Sequence, residues 1–358
     1  MKASTLPPQA RGEVGEAWCA LEAELGHASV MCSWDWTDTW LEHYGDVVRH
    51  RFVRAERDGA VRGIALIADQ AGLGRLRPPT IALGTAGEPR GTSVFVERNR
   101  LLASDRDRAE FASALMAELT THHHRWQRLR LDGMVTEDAE ALAAVGNAMS
   151  WQVEESPVAD LAGFEEEAPS SLPERRRRRL QRTLSLLGEV RCEWADDGAQ
   201  ARSILDELIV LHQAHWEAEG ERGAFASDRF RSFHCDLVAR LLPLRRAALF
   251  RVRQEDETLA CLYGLIEGGR LLFYQGGVVR RSDNKVRVGL AAHALFMRAC
   301  HEHGLAEYDF LAPAARYKRE LSNRSERLVW AELERPGLRL LLERTARRAR
   351  RAWRARAA

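Results

Sequence analysis

The stretch AALFRVRQEDETLACLYGLIEGGRLLFYQ, residues 247–275, decides the fold class of this chain. It holds three short runs rich in apolar and aromatic residues, and the pairs Glu255-Asp256 and Gly268-Gly269 interrupt them. Apolar runs bounded by two-residue turn signals are typical of strands joined by hairpins. We therefore predict an antiparallel meander with strands over 247–253, 258–266 and 270–275.

Further helices and strands surround the meander. The apolar pattern that begins at Val288 ends before Gly304, a residue type that often terminates helices. His301 and His303 lie in its last turn, where the helix dipole favours positive charge. The other elements predicted for the second half are a strand over 190–194, helices over 201–217, 228–242 and 288–303, and strands over 308–311 and 326–333.

A weaker version of the same order occurs in the first half. Asp58-Gly59 is a hairpin signal between two strands, and Trp36, Trp40 and Tyr44 recur at helical spacing on one face. Helices are predicted over 13–25, 35–44, 105–122 and 137–148, and strands over 51–56, 62–68, 128–131 and 151–154. The predicted fold class is α/β, of the α+β kind, with a mixed and mostly antiparallel sheet flanked by helices in each half.

Length and composition describe a globular chain of two domains. Its 358 residues exceed what one core usually supports, and 45% of them are hydrophobic. Residues 163–173, rich in Glu, Pro and Ser, are typical of a linker, and we predict that Ser171 caps the helix after it. The predicted domains are a degenerate N-terminal one over 1–165, a catalytic one over 166–335 and a basic amphipathic helix over 336–358.

Several classes of site and location are disfavoured. No apolar run reaches the length of a signal peptide or membrane span, so we expect a cytoplasmic protein without integral membrane contact. The six cysteines lack CxxC spacing, which favours free thiols. Residues 122–124 are adjacent histidines that point in divergent directions, so no metal site is expected. His212 and His215 share a helix face, and either a substrate cleft or packing accounts for them.

Basic residues cluster in two places. Residues 175–179 are an unbroken run of Arg, and eight Arg lie against one Glu over residues 339–356. Such clusters suit phosphate-bearing ligands. The apolar stripe of the C-terminal helix, with Leu338, Leu341 and Leu342, predicts docking against the body of the protein. Contact with nucleic acid or an anionic surface is the alternative.

Candidate catalytic residues occur late in the chain, which lacks the motifs of serine hydrolases, P-loop enzymes and zincins. Asp309 lies in a predicted strand, and Tyr317 and Lys318 follow it closely. A strand end that opens into a loop is where α/β folds place working groups. Lys can stabilise an oxyanion and Tyr can protonate a leaving group. In the structural alternative, Asp309 pairs with Arg316 or Lys318 and holds the loop.

The start of the helix at Val288 offers a separate feature. Lys285 and Arg287 precede it, and Gly289 lies in its first turn. Backbone N–H groups at a helix N-terminus, flanked by two cations, form a cradle for phosphate, and Gly289 lets a ligand approach closely. We therefore predict a phosphate-binding site here.

The order of short motifs along residues 30–333 indicates a family resemblance. The motifs lie at Ser33-Trp34, Trp40, Tyr44-Gly45, 81–84, 175–187, 271–277, Gly289, Gly304, Asp309-Phe310-Leu311 and Tyr317-Lys318. In order and spacing they resemble the CelD-like acyltransferases of the GNAT superfamily, a branch related to the Fem-type peptidoglycan aminoacyltransferases. The resemblance implies tandem GNAT-like folds and transfer of an acyl group to an amine or hydroxyl. It also implies that acyl-CoA pyrophosphate binds at Arg287, Val288, Gly289 and Leu290, and that Lys318 matches a lysine that assists Fem-type relatives.

We accordingly expect an N-acyltransferase in which an amine attacks the thioester of acyl-CoA. Lys318 stabilises the oxyanion, Tyr317 protonates the departing group, and Asp309 orients Lys318 or accepts the proton of the amine. Acyl-CoA is expected as a co-substrate, with no tightly bound cofactor, and the chain as a monomer or homodimer. An aminoacyl-tRNA-dependent Fem-like transferase and a non-catalytic binding protein are the alternatives. The small-molecule acceptor is expected to contact His215, Trp216, Tyr274, Gln275 and Arg178.

Overall fold

The computed structural model describes residues 1–26, 29–70, 77–122, 125–146, 148–165, 168–280 and 286–345. The chain divides into two compact units. The first comprises Met1–Val153 together with Leu328–Ala358, and the second comprises Glu154–Arg327. The domain ranges 1–165, 166–335 and 336–358 stay predictions.

The first unit has a mixed sheet in the order β1-β2-β3-β4-β6-β15, and β5 also pairs with β3. Neighbouring strands are antiparallel except β4 and β6, which are parallel. The elements up to residue 160 are β1 (Lys2–Leu6), α1 (Arg11–Leu25), α2 (Trp34–Tyr44), β2 (His50–Arg57), β3 (Ala60–Asp69), β4 (Thr80–Leu83), β5 (Leu102–Ala103), α3 (Arg108–His122), β6 (Arg128–Val135), α4 (Thr136–Val145) and β7 (Ala148–Asp160), and the sheet is completed by β15 (Arg324–Glu334).

Local sequence signals explain much of this unit. Asp58 and Gly59 both have positive φ, as the predicted tight hairpin requires. The stripe of Trp36, Trp40 and Tyr44 on α2 is fully buried. Ser33 caps α2, because its side chain accepts a hydrogen bond from the backbone N–H of Trp36.

The second unit has the sheet order β7-β14-β13-β12-β11-β10. The predicted meander is confirmed: β11, β12 and β13 pair antiparallel in sequence, and β13 pairs parallel with β14. Helix α8 buries an almost continuous apolar surface in the core of this unit. Its further elements are β8 (Phe164–Glu165), β9 (Ala168–Pro169), α5 (Glu174–Leu187), β10 (Arg191–Trp194), α6 (Gly198–Ala218), α7 (Asp228–Leu241), β11 (Ala247–Gln254), β12 (Glu257–Glu267), β13 (Arg270–Val278), α8 (Val288–Glu302), β14 (Glu307–Asp309) and α9 (Arg316–Leu321).

The predicted α/β class is confirmed, and several local predictions need correction. Ser171 does not cap α5; Pro173 is the capping residue, and the hydroxyl of Ser171 donates to the carbonyl oxygen of Asp160. The predicted linker contains β8 and β9, which pair with each other. Helix α9 forms where a loop was expected. The predicted strand over 308–311 ends at Asp309, because Leu311 adopts a positive φ that no strand continues.

The predicted docking of the C-terminal apolar stripe is also wrong. Residues 338–345 are helical, and the side chain that this helix buries is Leu340, whose backbone N–H donates to Oε1 of Gln127 at 3.2 Å. This contact turns a different face of the helix inward. The exposed apolar residues are Leu338, Leu341 and Leu342. Residues 346–358 lie outside the described part of the chain.

Candidate active site

An unpaired strand edge defines the candidate site in the second unit. The parallel ladder between β13 and β14 runs only from Arg270↔Glu307 to Leu272↔Asp309, although β13 continues to Val278. The register between β12 and β13 shifts at the same place, because Tyr263 of β12 pairs with Gln275 and Gly264 pairs with Phe273. Within the described residues, no strand pairs with β13 beyond Leu272 on the side that faces β14, and this side is called the β13 edge here. Backbone N–H and C=O groups on such an edge are available to a ligand.

Asp309 closes β14 inside a hydrogen-bond network. Its side chain is 0% exposed, and Oδ1 accepts from the hydroxyl of Ser156 and, at 2.9 Å, from the backbone N–H of Leu311. Arg270 lies 3.4 Å from Oδ2. These partners offset the cost of burying a carboxylate. Asp309 therefore shapes the loop after β14.

Lys318 lies on α9 and is 9% exposed. Its Nζ donates to the carbonyl oxygen of Leu311 at 2.8 Å, so it is held against the loop that Asp309 shapes. Its positive charge contributes to the lowered pKa of His293 on α8. A cation is thus buried beside the end of β14.

Tyr317 and His293 form an aromatic pair next to this cation. Their rings stack with centroids 5.3 Å apart, and Nδ1 of His293 lies 2.9 Å from the hydroxyl of Tyr308. Burial first, and then the charge of Lys318, lower the pKa of His293 to about 3, so the imidazole is neutral. Burial raises the pKa of Tyr317 to about 12, so its phenol stays protonated. Sequence reasoning missed His293; its one signal was a His on the apolar face of a buried helix.

The first turn of α8 lies beside α9, the helix that carries Tyr317 and Lys318. Nη1 of Arg287, the residue before the helix, lies 2.6 Å from Oε2 of Glu320 on α9. Arg179 and Arg316 lie 3.6 and 3.2 Å from the same carboxylate, and the pKa of Glu320 is lowered despite its burial because these arginines are near. Three cations thus surround one anion at a helix N-terminus.

The predicted cradle residues differ in accessibility. Val288 and Leu290 are buried in the core, whereas Gly289 is partly exposed. A Cβ added to Gly289 would lie 3.9 Å from Val278, the last residue of β13. The start of α8 therefore lies beside the end of β13. Lys285 lies outside the described residues.

A second group of predicted residues lies where α6 packs on β13. Gly277 permits a close approach there, because a Cβ on it would lie 2.6 Å from the carbonyl oxygen of Leu208. The indole N–H of Trp216 donates to Nε2 of His212 at 3.0 Å, and Gln275 on β13 is a further hydrogen-bond partner of His212. Burial lowers the pKa of His212.

The remaining predicted acceptor residues are spread more widely. The ring of His215 meets Trp216 edge-on with centroids 5.6 Å apart. Tyr274 is buried against His234, with ring centroids 4.9 Å apart. Arg178 is not brought to either group; it is exposed on α5 and pairs with Glu174 one helical turn earlier. No group of three or more potential metal ligands occurs among the described residues.

The first unit also has a short parallel strand pair, but a side chain occupies the space beyond it. Strands β4 and β6 pair from Thr80↔Arg128 to Ala82↔Arg130. Beyond this ladder lies Asn99, which is 2% exposed. Its amide Nδ2 donates to the carbonyl oxygens of Leu83 at 3.2 Å and Asp132 at 3.3 Å. The chain itself fills the space between these two strands.

Comparison with known proteins identifies a domain within this chain. Residues 174–319 match the family model described as an acetyltransferase (GNAT) domain, and on this match the chain is an acyltransferase. No curated protein matches the chain. The predicted GNAT resemblance is thereby confirmed for the domain over 174–319.

Solved structures share the fold over most of the chain. FemX superposes with a TM-score of 0.57 at 13% identity, covering 92% of this chain and 97% of FemX. The C-terminal domain of a putative lysylphosphatidylglycerol synthetase from Agrobacterium fabrum gives 0.56 at 13% identity, covering 93% and 96%. L-PGS from Bacillus licheniformis gives 0.54 at 12% identity, with the same coverage. Identities this low show a common fold. No helix in the described residues is long and apolar enough to cross a membrane.

Proposed function

We propose that this chain is an N-acyltransferase of the CelD-like kind, which transfers an acyl group from acyl-CoA to an amine or hydroxyl of a small molecule or of a glycan or peptide precursor. The observation that carries the proposal is the unpaired β13 edge beyond Leu272. One end of that edge adjoins the cationic start of α8, and Lys318 and Tyr317 lie on the element that Arg287 contacts. A donor with phosphates and a thioester needs these two features side by side.

The donor phosphates would bind at the first turn of α8. The N–H groups there point along the helix axis, and Gly289 leaves room for a ligand. Arg287, with Arg179 and Arg316, outnumbers the single carboxylate of Glu320, so the local charge favours an anion. We include Val288, Leu290 and Lys285 in this site through their backbone or charge.

The reaction would occur beside Tyr317 and Lys318. The neutral amine attacks the thioester carbonyl; a C–N bond forms and the C–S bond breaks. The proton that the amine loses passes through water and restores the phenol of Tyr317. Lys318 and N–H groups of the β13 edge stabilise the oxyanion, and Tyr317 supplies a proton to the leaving thiolate. Asp309 acts as a positioning residue, because it fixes Leu311, whose carbonyl oxygen holds Lys318.

The acceptor would enter from the α6 side of β13. His215 and Trp216 on α6, with Tyr274 and Gln275 on β13, would form its walls, and His212, whose Nε2 accepts from the indole N–H, orients Trp216. Arg178 would contact an extended acceptor or donor from α5. We expect the enzyme to act in the cytoplasm as a monomer or homodimer.

Coenzyme A release with a thiol reagent, over a panel of acyl-CoA donors and amines, tests the proposal. Arg287→Gln is expected to raise the KM for the donor about tenfold and to leave kcat unchanged, since it removes a charged contact from binding. Arg202→Gln on α6, where Arg202 is exposed and paired with Asp206, is the matched control and should change neither constant. An Arg287→Gln variant with an unaltered donor KM would contradict the placement of the phosphates.

An aminoacyl-tRNA donor is the second candidate. The Arg run of α5 is largely exposed, and FemX and lysylphosphatidylglycerol synthetases share the fold. A tRNA donor would bind with an affinity that falls steeply with salt. Thermal shift with coenzyme A and, separately, with bulk tRNA distinguishes the donors, because a ligand stabilises only a fold that binds it. Binding without turnover of either donor would favour a non-catalytic binding protein.

A further inference from the structure

A cavity of about 340 Å³ lies in the first unit, whereas the residues of the proposed reaction lie in the second. This volume is within the range of small-molecule sites, roughly 300–1,000 Å³. The cavity lies between the end of α1 and the segment that leads into α3. It is lined by Glu24, Leu25, Ser29, Cys32 and residues 100–106.

One buried hydroxyl in the wall of this cavity lacks a partner. Ser29 is 3% exposed, and its Oγ forms no hydrogen bond with any described residue. A hydroxyl removed from water without a hydrogen bond costs free energy, about 1–3 kcal/mol on protein scales. A ligand acceptor placed in the cavity would recover that cost.

The guanidinium of Arg100, which is partly exposed and forms two long ion pairs, is the second polar group of the wall. Its contacts to Asp105 and Asp138 are 3.9 and 3.8 Å long, beyond hydrogen-bond distance. Asp138 already accepts from the N–H of Leu101 at 2.8 Å and from Arg108. Within the described residues, the side chain of Arg100 donates no hydrogen bond, so its planar N–H groups can bind a carboxylate.

The rest of the wall has both charge signs and an apolar side. Glu24 and Asp105 present carboxylates, each already near an arginine. Leu25, Leu101 and Leu102 supply apolar surface. Because the wall carries both signs, a ligand with a single charge would lie close to a like charge, whereas a zwitterion with an aliphatic part complements all three kinds of surface.

We propose that this cavity binds a small zwitterionic carboxylic acid, an α-amino acid with a short aliphatic side chain. Its carboxylate binds Arg100 and the hydroxyl of Ser29, its ammonium faces Glu24 and Asp105, and its side chain contacts Leu25 and Leu102. This site is independent of the acyl-transfer reaction, because none of its residues is in that machinery.

Isothermal titration calorimetry of the full chain with L-leucine tests the proposal. 4-Methylpentanoate, which lacks the amine, should bind more weakly than leucine, and 3-methylbutylamine, which lacks the carboxylate, should give no measurable heat. Arg100→Gln is expected to weaken leucine binding by an order of magnitude or more, because it removes a charged pair of hydrogen bonds. Ser29→Ala should weaken binding by roughly threefold to tenfold.

Arg202→Gln is the control for loss of one exposed positive charge and should bind leucine like the parent chain. Arg100→Lys retains the charge and loses the planar fork, so it should fold normally and still bind more weakly. The proposal is overturned if leucine gives no heat at millimolar concentration, if 3-methylbutylamine binds as well as leucine, or if folded Arg100→Gln retains full affinity. Because the readout is binding, failure here leaves the proposed acyl transfer intact.

Discussion

Each unit contains one short pair of parallel strands, and the two units differ in what lies beyond the end of that pairing. In each, a ladder of three residue pairs joins two parallel strands, β4 with β6 and β13 with β14. In the first unit Asn99 bonds to both strands and fills the space beyond the ladder. In the second, the strand edge beyond Leu272 remains unpaired among the described residues, and Lys318 lies beside the end of β14.

This difference suggests to us a hypothesis in which the second unit holds the reaction and the first unit serves packing. The neutral amide of Asn99 stabilises the first unit at this place, since it donates to two backbone carbonyl oxygens and buried polar groups need partners. The second unit instead buries a cation, a neutral imidazole and a protonated phenol together. Such shifted groups cluster at functional sites. Because Asn99 fills the corresponding space in the first unit, we propose that the first unit is catalytically degenerate.

Replacement of Lys318 is the most direct test of the proposed difference between the two units. Lys318→Ala is expected to lower kcat about 100-fold to 1,000-fold, the usual loss when one group that stabilises an oxyanion is removed. Coenzyme A release measures it. Arg319→Gln, an exposed change on the same helix, is the control and should retain activity. A folded Lys318→Ala chain with parental kcat would remove Lys318 from the mechanism.

Tyr317→Phe should have the next largest effect, a drop in kcat of about 100-fold with little change in KM, because only the proton donor is lost. Since burial raises the pKa of Tyr317 to about 12, the parental enzyme should show no alkaline loss from this group below pH 10 or so. Tyr44→Phe in the first unit, which removes a hydroxyl bonded to the carbonyl oxygen of Thr92, is the control. Equal kcat values for the Tyr317→Phe and parental enzymes would exclude the role.

His293 should make stability depend on pH. Its pKa is about 3 in the folded chain and near 6.5 when unfolded, so the unfolded chain binds more protons below pH 6.5. Its contribution is present above pH 6.5 and is lost as pH falls, by up to about 1.4 kcal/mol per pH unit. Urea unfolding at pH 4 to 7 measures this slope. His293→Phe should flatten it; identical slopes for His293→Phe and the parental chain would refute the assignment.

The smallest effect is expected in the first unit. Asn99→Ala removes the hydrogen bonds to Leu83 and Asp132 and the one that Oδ1 accepts from Cys32, and should lower the free energy of unfolding by about 2–3 kcal/mol. It should not change kcat of the folded enzyme, because the residue fills a space and touches no reacting group. Asn323→Ala, at an exposed Asn with one hydrogen bond to the backbone of Asp160, should cost less than about 1 kcal/mol. A loss of kcat in Asn99→Ala would mean that the first unit takes part in the reaction.

Short-range patterns predicted most of the elements and missed those that depend on packing. The meander and α8 were predicted because turn residues and apolar periodicity are local signals. Helix α9 was missed because its six residues carry no periodic pattern of their own. The docked face of the helix over 338–345 was wrong because Leu340, and not the stripe, meets the core.

For the candidate site, the sequence predicted the reactive residues better than their contacts. Asp309, Tyr317 and Lys318 were named from their chemistry and position after a strand, and the structure places them with Arg287 around α9. Their partners were predicted less well. Pairing of Asp309 with Arg316 or Lys318 was the structural alternative, and the contacts to Ser156, Leu311 and Arg270 were not foreseen.

The sequence by itself determined the turns, the strand alternation and the kinds of reactive group that this protein carries. Asp58-Gly59 and Gly268-Gly269 adopt positive φ because their residue types permit it in any context. Only the tertiary structure decided where Asn99 fills a space, that His293 is buried beside Lys318, and that Asp309 accepts a hydrogen bond from the hydroxyl of Ser156. Those outcomes depend on contacts between segments far apart in sequence, and the local pattern of either segment does not specify its partner.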